Sequence, residues 1–230
     1  MKIIKTFGLL TVMVLGLVSC NDQLDINRDP DSLDPTQIPL NSEFTGATTG
    51  VVTSAGSYYA LVGGFWSQYF TQSAVANQYK FIDDYSLNTS SINGAWSSMY
   101  DAILDIRNIK KNAEAQQNWN YYLMSTVMEA YAFQVLSDSY GSVPYAQAGN
   151  SDFLNPQFDA ETAVYDGLVA NLKNALSKDL TTSSTTVIPG KDDLVFAGDM
   201  TKWKEFANTM LLKLYLRQTN ARASVAQTGI

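Results

Sequence analysis

The sequence predicts an all-α fold, and three features predict it. Apolar residues recur at steps of three and four in successive segments of the chain. Period-two alternation, the mark of a half-buried strand, never runs longer than a few residues. Gly141 and Pro144 break the chain between two of these segments.

In chain order, Tyr58, Leu61, Val62, Phe65, Trp66, Tyr69 and Phe70 make one broad apolar face and predict a first helix. Trp96, Met99, Tyr100, Ile103 and Ile106 repeat the pattern. A third helix runs from Trp119 to about Ser137, with Leu123, Met124, Val127, Met128, Tyr131, Phe133 and Val135 around nearly its whole circumference, so it is expected to be buried and central. Asp159 is the expected N-cap of a fourth, which buries Val164, Tyr165, Leu168, Val169, Leu172, Ala175 and Leu176. The fifth follows Asp199 and buries Trp203, Phe206, Ala207, Met210, Leu211 and Leu214. No strict repeat of about 34 residues is visible, so any tetratricopeptide-like arrangement is divergent. The links 71–93 and 181–197 are longer than bundle connections usually are, and long ordered loops more often carry function.

Ahead of these segments the chain has another character. Lys2 and Lys5 precede the apolar run Phe7 to Val18, which is too short to span a bilayer and reads as a cleaved signal over residues 1–19. Leu17-Val18-Ser19-Cys20 resembles the lipobox of bacterial lipoproteins, which implies diacylglycerol on Cys20 and cleavage before it. Cys20 is the only cysteine, so no intramolecular disulfide is possible. Residues 20–57, rich in Asp, Asn, Ser, Thr, Gly and Pro with turns at Asp29-Pro30-Asp31 and Asp34-Pro35, are expected as a lipidated, extended tether, and residues 58–230 as the helical domain.

Losing Lys2 and Lys5 with the signal leaves 13 basic residues against 22 acidic ones, a formal charge of −9. An acidic chain without a basic cluster argues against nucleic acid and against electrostatic docking on anionic lipid. The chain has no histidine, the commonest general base and zinc ligand, and with Cys20 lipidated no thiol nucleophile. The carboxylate pairs Asp83-Asp84, Asp101/Asp105 and Asp192-Asp193 read as solvated surface rather than as a glycosidase pair held across a cleft. Asp192-Asp193 lacks the ligand spacing of a calcium loop, and no glycine-rich phosphate loop is present. No cofactor and no metal site are expected.

Three segments resemble the SusD/RagB family of nutrient-binding outer-membrane lipoproteins. Asp138-Ser139-Tyr140-Gly141-Ser142-Val143-Pro144-Tyr145 is similar to the family's Tyr-Gly-x-Val-Pro-Tyr turn. Phe158 to Leu168 resembles the helix that follows it, and Gly198-Asp199-Met200-Thr201-Lys202-Trp203-Lys204-Glu205-Phe206-Ala207-Asn208 resembles the family's run into a Leu/Arg-rich helix ending near Arg217. The resemblance implies a SusD-like fold of divergent tetratricopeptide-like hairpins. It also implies a non-catalytic surface lipoprotein that captures glycans for a SusC-like TonB-dependent transporter. Peptide capture, as in RagB-type members, and a helical scaffold lipoprotein without a small ligand are the alternatives. Family members are typically much longer, so the chain is expected to be a fragment, the alternative being a truncated gene product.

Aromatics make up 12% of the residues, a high share, and sugar recognition uses flat apolar faces that stack on pyranose rings. Phe65, Tyr100, Tyr131, Trp203 and Phe206 fall on helical stripes and read as core. Asn77, Tyr79, Phe81, Asp83, Tyr85 and Asn88 fall in the first long loop, which leads to Trp96, and combine ring faces with amide and carboxylate groups. Two readings stand for them: a sugar-binding surface, or a loop whose rings pack onto the helices.

Overall fold

The computed structural model describes residues 38–230; the expected signal, Cys20 and the tether up to residue 37 lie outside the described residues. The elements are α1 (Leu40–Ser54), a π-helical turn (Ala55–Tyr59), α2 (Ala60–Trp66), α3 (Lys80–Asp83), α4 (Asn93–Ala115), α5 (Trp119–Tyr140), α6 (Glu161–Leu176), a 3-10 turn (Leu180–Thr182), α7 (Met200–Leu216) and α8 (Ala223–Gly229). Among the described residues the β pairing is a single antiparallel bridge between Val143 and Asp159. The all-α expectation holds.

Helix α5 is the centre. Residues 121–130 are buried without a break, and α1, α4, α6 and α7 all pack on it. Asn118 starts it by accepting from the Tyr121 amide, and Gly141 ends it at φ 75°, a conformation that only glycine adopts without strain. A three-residue link joins α4 to α5 as an antiparallel hairpin, with Tyr100 facing Phe133 and Arg107 facing Glu129.

Two sequence expectations are corrected. Residues 40–54, read as extended tether, form α1, and Leu40, Phe44, Ala47 and Val51 of that helix are buried. Phe44 meets Tyr121 and Trp203 edge-on at 5.8 and 6.0 Å, so α1 belongs to the core and the folded body begins at Pro39. The 4-3-4 spacing of its apolar residues is helical, but interspersed Thr and Gly, poor helix formers, obscure it. Gly50 brings α1 close to α4, where an added Cβ would come within 3.1 Å of the Ala102 Cβ, tighter than an ordinary contact. The second correction concerns Asp159. Ala160 takes the N-cap position of α6, while Asp159 accepts from the amides of Tyr145 and Ala146 at 2.9 and 2.8 Å and closes the loop leading into the helix.

The motif residues turn out to be joined to one another. Asp138, in the last turn of α5, accepts hydrogen bonds from the Tyr165 hydroxyl on α6 and the Gln134 amide, and pairs with Arg217 beyond α7 at 2.7 Å. One carboxylate thus ties the three segments together. Trp203 is fully buried, and its indole N–H donates to Asp193 at 2.7 Å. Asp193 also accepts from the amides of Val195, Phe196 and Gly198, so it is a buried loop anchor and not a solvated surface carboxylate. Gly198, at φ 83°, lies so close to Pro189 that a Cβ would fall 2.4 Å from its carbonyl oxygen. Asp199 caps α7 through the amides of Thr201 and Lys202, as expected.

The deepest charge is Glu129, in the middle of α5 and 2% exposed. Burial pushes its carboxyl up, but Lys110 and Arg107 outweigh that and hold it below the usual carboxylate range. Arg107 bonds it at 2.7 Å, lies over the rings of Phe133 and Tyr145, and also donates to the Ala148 carbonyl. A carboxyl depressed in the folded state contributes stability above its unfolded pKa and loses it as pH falls through the folded value. Glu129→Gln is therefore expected to cost about 3 kcal/mol at pH 7, from leaving two cations uncompensated. Urea melts should show that deficit shrinking as pH falls below the ordinary glutamate range, about 4.3, where the carboxyl of the unfolded chain begins to protonate, and vanishing as pH passes the lower folded value.

Candidate functional site

The two long loops differ in what their polar groups are bonded to. In the second, Asp192 accepts from the Tyr121 hydroxyl at 2.6 Å and from the Gly190 amide, its carbonyl accepts from Thr45, and Val187 accepts from Asn118. With Asp193 buried beside it, this loop is sewn onto the N-terminal end of α5 and is part of the scaffold. The first loop leaves Tyr85 exposed, with Trp66, Tyr69 and Phe70 exposed just ahead of it.

That loop begins where the chain leaves helical geometry early. The expected helix from Tyr58 to Phe70 is instead a π-helical turn kinked at Ser57 (φ −92°, ψ −116°) followed by the short α2. Only Phe65 of its predicted apolar face is buried; Trp66, Tyr69 and Phe70 are 45%, 88% and 49% exposed. Phe70 folds back so closely on Gly64 that a Cβ there would fall 2.1 Å from the ring. Phe65, Gln68, Tyr69, Phe70, Thr71, Asp83 and Tyr85 together line an open concavity of about 440 Å³. Tyr85 stacks on Trp66 with ring centroids 5.7 Å apart and planes 24° apart, and the Trp66 indole N–H donates to the Ile82 carbonyl at 3.1 Å.

Two of the lining residues sit in strained backbone: Gln68 at φ 61° and Tyr85 at φ 57°, a region that side chains other than Gly, Asn and Asp rarely adopt. Such outliers cluster at binding sites, where surrounding structure holds them. On the rim, Asp83 accepts from the Thr71 hydroxyl at 2.7 Å and from Lys80 at 3.3 Å, and Lys80 also reaches Asp84 at 3.5 Å. The Thr71 bond first, and Lys80 after it, hold the Asp83 carboxyl below its ordinary range, so it is an anion at neutral pH.

Of the residues singled out from the sequence, the structure brings Asp83 and Tyr85 to this concavity. Tyr79 lies edge-on to Tyr58, and its amide donates to Gln72. Phe81 is half-buried in α3, Asn77 is exposed, and Asn88 accepts from Ser90 within its own turn. Trp96 belongs to a different cluster, against Tyr100, Tyr140 and Phe158, the last stacked on it with ring centroids 6.1 Å apart. The wall residues Gln68, Tyr69 and Phe70, and Trp66 stacked on Tyr85, were not singled out as binding residues, because Trp66, Tyr69 and Phe70 continue a helical apolar stripe; the adjacent Gly63-Gly64 pair is the one local sign that the helix ends there. Among the described residues no group of three His, Cys, Asp or Glu side chains is placed to hold a metal ion. No described helix is long and apolar enough to cross a membrane.

Comparison with known proteins adds the family. No curated protein matches the chain. A SusD/RagB family protein of Bacteroides thetaiotaomicron superposes with a TM-score of 0.69 at 21% identity, covering 80% of this chain and 39% of that one. A chitin-binding protein gives 0.66 at 23% identity over 85% and 41% of the two chains. A chitin-binding SusD homologue of Flavobacterium johnsoniae gives 0.58 at 19% identity over 81% and 41%. The chain spans about 40% of the length of these structures, and the likeness is one of fold. Residues 36–230 match the family described as "Starch-binding associating with outer membrane", and with that match, on this helical frame, the chain belongs to the SusD-like family.

Proposed function

We propose that the chain captures a glycan at the outer membrane and does no chemistry on it. The observation that carries this reading is the concavity walled by Trp66-stacked Tyr85, Tyr69, Phe70 and Phe65, with Asp83 and Thr71 at its edge. Flat apolar faces suit the apolar faces of pyranose rings, and the few polar groups at the rim fix orientation. Its volume lies within the range of small-ligand sites, roughly 300–1,000 Å³. Two of the similar structures are named as chitin-binding, in keeping with a sugar ligand.

Passive capture fits the chemistry at the rim. A glycosidase places two carboxyls across a cleft, whereas Asp83 and Asp84 are adjacent and share Lys80. In this reading Cys20 carries the lipid that anchors the protein at the cell surface, and the partner is a SusC-like TonB-dependent transporter that takes up what the concavity holds.

Calorimetry against panels of oligosaccharides and peptides tests the ligand class. A glycan should bind, and Trp66→Ala should weaken it by about 1–2 kcal/mol, roughly five- to thirtyfold. Binding of peptides and no glycan would transfer the reading to peptide capture. Tyr85 separates strain from contact: Tyr85→Gly and Tyr85→Ala should lose the same affinity, while the glycine variant is more stable than the alanine variant by about 1 kcal/mol, because alanine keeps the left-handed penalty. Cys20→Ser should move the protein from the membrane fraction to the soluble fraction; retention in the membrane would rule out the anchor.

A further inference from the structure

We infer that the concavity selects neutral oligosaccharides and rejects acidic ones, such as uronate-containing or sulfated glycans. The inference rests on the glycan-capture reading and adds the charge class of the ligand. Its basis is the rim. Asp83 lines the concavity, and it shares one ammonium, Lys80, with the adjacent Asp84, so this acidic pair keeps one negative charge in excess. No other ion pair reaches this rim among the described residues, and the chain as a whole carries a formal charge of −7.

The hydrogen-bonding capacity at the rim points the same way. An ionised carboxylate accepts only, at about four lone-pair positions. Thr71 occupies one oxygen of Asp83 and Lys80 the other, so each oxygen keeps capacity for a further donor. A sugar hydroxyl supplies that donor, and a ligand carboxylate or sulfate does not. The Thr71 proton is directed to Asp83, which leaves its oxygen lone pairs as acceptors. The Gln68 amide and the Tyr69 and Tyr85 hydroxyls, on exposed side chains lining the same space, both donate and accept. This is a surface for uncharged polyols, and the exposed rings beside it are indifferent to which neutral sugar stacks on them.

The test uses the mature full-length protein on an array of neutral, uronic and sulfated oligosaccharides, followed by calorimetry on matched pairs of equal length, such as galacto-oligosaccharide against oligogalacturonate. Neutral members should bind. At low salt each acidic counterpart should bind about three- to tenfold more weakly for every carboxylate brought within roughly 5 Å of the rim. At 1 M salt, where the screening length is about 3 Å, that gap should narrow. Asp84→Asn, an exposed substitution whose fold is checked by helical circular dichroism, should raise the acid-to-neutral affinity ratio about threefold. An acidic glycan that binds as tightly as its neutral partner at low salt, or a ratio unmoved by Asp84→Asn, overturns the charge selection and leaves glycan capture standing. Failure of every sugar on the array, neutral and acidic alike, removes glycan capture and this inference together.

Discussion

A helix buried on all sides has no polar face, and every charge it carries must be met by a partner from another element. Helix α5 is in that position over residues 121–130, and two of its carboxylates, one there and one in its last turn, organise the helices around it. Glu129 draws Arg107 and Lys110 of α4 against the middle of the helix. At its end, Asp138 draws Tyr165 of α6 and Arg217 beyond α7. Leaving the buried Glu129 unpaired would cost about 3 kcal/mol, so the register of α4 against α5 is set by charge as well as by apolar packing. Arg107 carries the effect outward: by bonding Glu129 and the Ala148 carbonyl at once, it fastens the loop after α5 to the core.

The same principle separates scaffold from binding surface. Where a loop's carboxylates are consumed by backbone amides and buried hydroxyls, as at Asp192 and Asp193, the loop is part of the framework and has nothing to offer a ligand. Where rings stay outside and a carboxylate keeps accepting capacity, as around Asp83, the surface is available. The left-handed backbone at Gln68 and Tyr85 belongs to the second kind. Strain of about 1–2 kcal/mol per residue is tolerated where it aims a side chain that packing alone would have turned inward. The motifs that resemble the family's all lie in the framework, where they specify the fold.

Periodicity alone determined the helical class, the central burial of α5 and the cap of α7 at Asp199, because each follows from local spacing or from one side chain reaching its own backbone. Composition excluded histidine chemistry. The loop holding Asp83 and Tyr85 was also legible, since turn residues and rings without a helical period mark an ordered loop. Only the tertiary structure decided which rings face solvent. Trp66, Tyr69 and Phe70 continue a helical stripe in sequence, yet the kink at Ser57 and the turn at Gln68 carry them out of it, while Phe44, hidden among threonines and glycines, is drawn into the core against Tyr121 and Trp203. The physical reason is the same in each case: a stripe states that a face is apolar, but whether that face is covered depends on which other element arrives to cover it, and that is settled by contacts far apart along the chain.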